Sequence, residues 1–193
     1  MKQRWVIAAM LVAALVITAG VAYQAAADCF LKVDGIQGDS QDSKHREEIQ
    51  VLSWSWGETN TGSMQASGGG EASRTANFKD IVFTARISKA SPKLFSAGTG
   101  GQKHIGTAIL TCRKPVAAGG GSQLLEYLKI TLSDVLVSSY LSGYPGPGGV
   151  DVPSDQFSFN FSKINMEYLP LQANGTPDRP VSAGFDLRTR KNY

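Results

Sequence analysis

Two tryptophans two positions apart, within Glu47-Glu48-Ile49-Gln50-Val51-Leu52-Ser53-Trp54-Ser55-Trp56-Gly57, constrain this chain more than any other stretch. Successive side chains of an extended strand point to opposite faces. Simple alternation predicts one face with Gln50, Leu52, Trp54 and Trp56, and another with Ile49, Val51, Ser53 and Ser55. Two indole rings demand a thick core beneath them. The serines say more about function. A half-exposed strand ordinarily carries charges on its outer face, and here the polar positions are small hydroxyls. Such a surface suits a neighbouring subunit, a channel or a ligand, or a covering loop of the same chain.

The chain has 193 residues, 42% of them apolar, which is enough for one domain with a real core. Its formal charge of +3 includes Lys2 and Arg4. With those set aside, bases and acids nearly balance, and nucleic-acid binding gains no support. Residues 1–27 read as a secretory signal peptide. Lys2 and Arg4 form the positive end, Val6 to Ala19 the apolar core, and Ala25-Ala26-Ala27 a small-residue cleavage site before Asp28. The apolar run approaches the length of a membrane-spanning helix, so an uncleaved anchor is the alternative. The expected organisation is therefore 1–27 as leader or anchor and 28–193 as one β domain, secreted to the periplasm or beyond. Export would expose Cys29 and Cys112 to an oxidising compartment. They form one disulfide if their strands are neighbours, and otherwise remain two buried thiols.

Along the mature chain, Asp28 to Val33 reads as a strand ending in Asp34-Gly35, and Gly38-Asp39-Ser40 as turn chemistry. Gly57 to Arg74 is rich in Gly, Ser and Thr, and loops of such length are usually functional or disordered. Asn77 to Ile87 is a strand with Ile81, Phe83, Ala85 and Ile87 on one face. Ser91 to Gly98 is the one convincing helix, with Ser91 as cap, Pro92 at its first position and Gly98 as a left-handed stop. Strands follow at Thr107–Arg113 and Leu124–Leu132, separated by a Gly-rich turn at 114–122, with a further run at Val135-Leu136-Val137. Tyr144 to Pro153 is a loop. Phe157, Phe159 and Phe161 alternate with polar residues, and the apolar phase then slips to Ile164, Met166 and Tyr168. That slip predicts a bulge at Ser162-Lys163. Val181, Ala183, Phe185 and Leu187 mark the last strand. Regular strands with one short helix predict a mainly β barrel of two packed antiparallel sheets.

Chemistry is scarce. His45 and His104 are the two histidines, and neither has a metal ligand at a zinc-site spacing. The nucleophile elbow Gly-x-Ser-x-Gly is missing, although a Ser-His-Asp set is defined by geometry and not by order. Glu47 and Glu48 point apart on a strand. Gly68 to Gly70 lacks the Lys-Ser or Lys-Thr of a phosphate loop. The sequence implies a non-enzyme with no metal or cofactor.

The order of motifs resembles the Hcp family, the haemolysin-coregulated tube proteins of bacterial type VI secretion systems. The matching stretches are Phe30-Leu31-Lys32-Val33-Asp34-Gly35, Gly38-Asp39-Ser40, His45-Arg46-Glu47-Glu48-Ile49 and Ser53-Trp54-Ser55-Trp56-Gly57, then Asp80-Ile81-Val82-Phe83-Thr84 and Ser91-Pro92-Lys93-Leu94. Tyr127-Leu128-Lys129-Ile130-Thr131-Leu132 and Val135-Leu136-Val137-Ser138-Ser139 complete the series. The resemblance implies a barrel with one helix, six copies in a ring around a channel, and rings stacked into a tube. The implied partners are further copies of the chain, effector proteins held in the channel, and the sheath and spike of the secretion apparatus. It implies that Ser55 faces the channel and touches the effector. It also implies that Gly57 to Arg74 is the long loop reaching an adjacent subunit or the next ring. It implies no disulfide, since family strands carry ordinary apolar residues where Cys29 and Cys112 stand. Tube-building relatives carry no export signal, which leaves a second reading. In that reading the chain is an exported paralogue that binds a partner outside the cytoplasm without building a tube.

Overall fold

The computed structural model describes residues 28–60, 76–100, 104–118, 121–143, 153–172 and 175–193. The expected leader at 1–27, most of the Gly-rich stretch and most of the 144–153 loop lie outside the described residues. Among the described residues, eleven strands and one helix follow in order. They are β1 (Asp28–Val33), β2 (Ile49–Ser55), β3 (Glu58–Asn60), β4 (Ala76–Phe78), β5 (Ile81–Arg86), α1 (Ser91–Gly98), β6 (Ile105–Ala118), β7 (Gly121–Gly143), β8 (Ser154–Asn160), β9 (Lys163–Tyr168), β10 (Val181–Asp186) and β11 (Lys191–Asn192).

Antiparallel pairing runs β7-β6-β1-β2-β5-β8, and β8 returns to β7, so the sheet closes into a barrel. The 23-residue β7 makes closure possible. Its first half pairs with β9 and its second half with β8. Strands β9, β10 and β11 extend the wall as a flap. The core is filled by inward residues from all round: Leu31, Ile49, Ile81, Phe83, Leu110, Ile130, Val135, Phe157 and Phe159 are each fully buried. Phe83, Phe157 and Phe159 form one cluster with ring centroids 5.3–5.5 Å apart. Each such burial contributes about 1.5–3 kcal/mol.

Several expectations need correction. The tryptophan strand does not alternate uniformly. A register shift between Val51 and Ser53 flips its phase. Ile49 and Val51 therefore share the inner side with Trp54 and Trp56, while Gln50, Leu52, Ser53 and Ser55 are exposed. Strict period 2 fails across the bulge, so Ile49 and Val51 do not share a face with the serines. The turn expected at 114–122 is strand almost throughout. Residues 105–118 and 121–143 form one long hairpin, with register pairs continuing to Ala118↔Gly121. The expected strand at 124–132 and the run at 135–137 are a single element, whose Asp134 takes a left-handed φ of 55°. The slip near Ser162 is a break and not a bulge. β8 pairs with β5 and β7, whereas β9 pairs with β7 and β10, and Ser162 turns the corner by bonding Ser133 O.

The helix spans Ser91–Gly98 as expected, but its caps differ. Ala90 occupies the cap position without a side-chain cap, and Thr99 ends the helix, with the left-handed residue at Gly100. Ser91 instead accepts the Ser88 N–H at 3.0 Å and donates its hydroxyl to the buried Asp155. Pro92 sits in the first turn as expected. In the last strand, Phe185 packs inward, but Val181 is exposed and Gly184 is covered by the Tyr193 ring.

Two more features organise the outside. The segment 35–48 folds back over β1 and β6, with Gly38 N donating to Glu47 O at 2.7 Å and Ser40 N to Glu48 O at 3.1 Å. A Cβ at Gly38 would stand 2.4 Å from Glu48 O, so only glycine permits this approach. The small ribbon β3–β4 is held by stacking of Trp56 on Phe78, and of Phe78 on Phe185, at 5.9 and 4.8 Å.

Candidate interaction surface

The bulge in β2 delivers Ser53 and Ser55 to the outside of the barrel. Residues directly opposed across an antiparallel pair project to the same face. Ser55 opposes Val82 and Ser53 opposes Thr84 on β5. Val82 in turn opposes Ser158, and Thr84 opposes Gln156, on β8. Ser158 and Gln156 then oppose Ser139 and Leu141 on β7. Four adjacent strands thus present Ser55, Ser53, Val82, Thr84, Gln156, Ser158 and Ser139 on one outer wall, with no charge among these positions.

The hydroxyls of this wall bond partly among themselves. Ser158 Oγ lies 2.7 Å from Ser138 Oγ and 2.6 Å from Ser139 Oγ, which satisfies the buried Ser158 without water. Charge gathers only at the margins. Asn160 donates to Asp80 at 2.8 Å at one end, and Arg86 is exposed at the other. Apolar side chains flank the wall: Leu141 is 66% exposed, Leu52 45% and Leu136 39%. Exposed leucines beside neutral hydroxyls make a surface that loses little on being covered.

Ser55 thus stands on an open wall, as an outward serine of β2. The other residues singled out in the sequence lie elsewhere. Cys29 and Cys112 oppose each other in the register of β1 and β6, with Cα atoms 4.1 Å apart, and their sulfurs are bonded in the structure. His45 is 5% exposed, stacks on Phe30 at 4.5 Å, and turns Nδ1 to Glu48 Oε2 at 3.0 Å. Arg113 lies over the same phenyl ring and pairs with Asp42 at 2.6 Å. This cluster pins segment 35–48 to the barrel. His104 meets Asp134 at 2.5 Å on the surface. Among the described residues, no three His, Cys, Asp or Glu side chains converge as a metal site.

Sequence reasoning missed Gln156, Ser158 and the exposed Leu136 and Leu141. Their alternation was visible in the sequence, but their neighbourhood with β2 depends on barrel closure. A separate cleft of about 560 Å³ is lined by Trp56, Phe78, Met166, Phe185, Glu58 and Arg190, among others, and shares no residue with the hydroxyl wall.

A closed barrel with one end-packed helix and an uncharged outer wall defines a scaffold subunit that works through its surfaces. Its sequence matches, over residues 30–168, the family described as type VI secretion system effector, Hcp. The chain belongs to the Hcp family, the structural proteins of type VI secretion. It is 43% identical to protein hcp1 of Pseudomonas aeruginosa over 164 residues, covering 84% of this chain and 96% of that protein. The solved structure of a type six secretion system protein superposes with a TM-score of 0.75 at 28% identity, covering 87% of this chain and 100% of that one. Hcp1 from Salmonella typhimurium superposes with a TM-score of 0.67 at 33% identity, over 86% and 99% of the two chains.

Proposed function

We propose that copies of this chain close into a hexameric ring, with the hydroxyl wall of β2, β5, β8 and β7 turned toward a central channel that holds effector proteins. Rings of this kind stack into the tube that the secretion apparatus propels, alongside its sheath and spike. The role is structural and not catalytic, and the protein is released from the cell as cargo and carrier together. The observation that carries this reading is the wall itself, seven neighbouring positions on four strands, all but Ser158 at least partly exposed, without one charge. Neutral hydroxyls exchange water for passenger contacts at small net gain, about 0.5–1.5 kcal/mol per hydrogen bond. Such a channel would hold a passenger and still release it.

Ser55 is the contact to test. Ser55→Gln adds bulk to an exposed position without touching the core. The expected result is an intact ring of unchanged mass that retains at least tenfold less co-expressed effector, on the order of 1.4 kcal/mol of contact. The measurement is co-purification from cells making both proteins. Unchanged retention, or collapse of the ring, would refute the channel placement.

A further inference from the structure

We propose that the Cys29–Cys112 pair is a redox mark set at folding: the bridge forms before the barrel closes and is not exchanged once it has closed. The inference rests on how unequally the two sulfurs are placed. Cys112 is fully buried, on the same inner side of β6 as Ala108 and Leu110, which are also fully buried. Cys29 is half-buried at the start of β1, packed against that core. Cys112 is thus closed to a reagent, and whatever access the pair has lies at Cys29.

A reductant thiolate can attack the Cys29 sulfur alone. The S–S bond then breaks with its electron pair going to Cys112, which must leave as a thiolate inside the apolar core. Apolar burial disfavours a thiolate and makes it a poor leaving group. The one cation next in sequence, Arg113, cannot relieve this. It projects to the opposite face of β6, over Phe30, with its guanidinium engaged by Asp42 and Asp28. The reverse reaction meets the same obstacle. In a folded dithiol, a disulfide oxidant can take Cys29 into a mixed disulfide, releasing one thiol. Closing the bridge then needs the Cys112 thiol to lose its proton, attack Cys29 and expel the second thiol.

In the unfolded chain both cysteines are free. A protein or small-molecule disulfide present at that stage takes two electrons and two protons from the pair and departs as two thiols. The state of the pair then records where the chain folded. Molecules folded in a reducing cytosol carry two thiols, and molecules folded in an oxidising compartment carry the bridge. This holds whether or not the hydroxyl wall lines a channel.

The test uses the full-length purified chain in two arms. Bridged protein is incubated with dithiothreitol at pH 8, folded or in denaturant. Chain refolded under dithiothreitol and desalted is incubated with oxidised glutathione, again folded or in denaturant. Thiols are trapped by alkylation in denaturant and counted by mass spectrometry. Exchange should be at least about tenfold slower in the folded samples of both arms, reflecting the disfavoured Cys112 thiolate. Exchange of folded protein within tenfold of the unfolded rate, in either arm, overturns the proposal. Should the reduced chain fail to fold by circular dichroism, the reduction arm alone decides.

Discussion

Around Phe30, three side chains decide how segment 35–48 is held. His45 covers the ring by stacking at 4.5 Å, and the Arg113 guanidinium lies 4.7 Å from its centroid. Arg113 is 8% exposed, so its charge needs a partner, and Asp42 supplies it. The Arg113 hydrogen bond, helped by the backbone N–H groups of Lys44 and His45, holds the Asp42 carboxyl at about 2 against an ordinary 3.8. A carboxylate whose value is depressed on folding contributes stability in full above its unfolded value, and loses it as pH falls through the folded one. The window is therefore from about pH 4 down to about pH 2. Asp42→Asn should lower stability at neutral pH by about 1–3 kcal/mol, since it weakens a hydrogen bond between charged groups. It should also flatten the acid limb in that window. Urea melts from pH 7 to pH 2 measure both, and an unaltered acid limb in the variant would contradict the assignment.

Helix α1 is too short to persist alone and depends on what it docks against. Leu94 and Ala97 bury its apolar side, and Gly98 packs close to Val137 and Tyr140 of β7. Its first turn is tied to the wall by Asp155, a 2% exposed carboxylate on β8. Ser91 Oγ donates to one carboxylate oxygen and Tyr140 OH donates to the other at 2.9 Å. Burial, and next the Asp155 hydrogen bond, raise the Tyr140 hydroxyl above its ordinary range, so it remains a protonated donor. Asp155→Ala strands both hydroxyls and should cost about 2–4 kcal/mol. Asp155→Asn keeps one acceptor oxygen and should cost about half as much. Thermal melts should rank the variants in that order, and amide exchange at Leu94 and Ala97 should rise in parallel. Equal melting of both variants would show that the acceptors do not hold the helix.

Closure pairs the barrel strands edge to edge, and the flap ends in a two-residue β11 that offers little edge for pairing. What it leaves unsatisfied is side-chain surface. Leu52, Leu136 and Leu141 are exposed beside a wall without charges, which is ordinary for an assembled subunit and costly for a lone one. The purified protein should scatter light as a closed ring of its 20.6 kDa chain, six copies by family resemblance. A stable monomer at tens of micromolar would contradict the ring.

Much of this was legible in the linear order of residues. The phenylalanine alternation at 157–161, the helix at 91–98, the mainly β class and the serines alternating with tryptophans are local patterns. Local patterns follow from side-chain periodicity and turn chemistry, which need no partner strand. Eight short motifs in order carried the family, because spacing along the chain survives without coordinates. What only the tertiary structure decided was register. The bulge at Leu52 moved Trp54 and Trp56 onto the side of Ile49 and Val51. Continuous pairing turned an expected Gly-rich turn into the end of a long hairpin, and separate partners for β8 and β9 made a phase slip into a corner. The opposition of Cys29 to Cys112, and of Ser55 to Val82 with Ser158 beyond it, likewise joins residues far apart in the chain. A strand's side-chain pattern states which residues share a face, but neighbours across a sheet are chosen by closure of the whole barrel. That choice minimises exposed apolar area and unpaired backbone over all strands at once, and no single stretch encodes it.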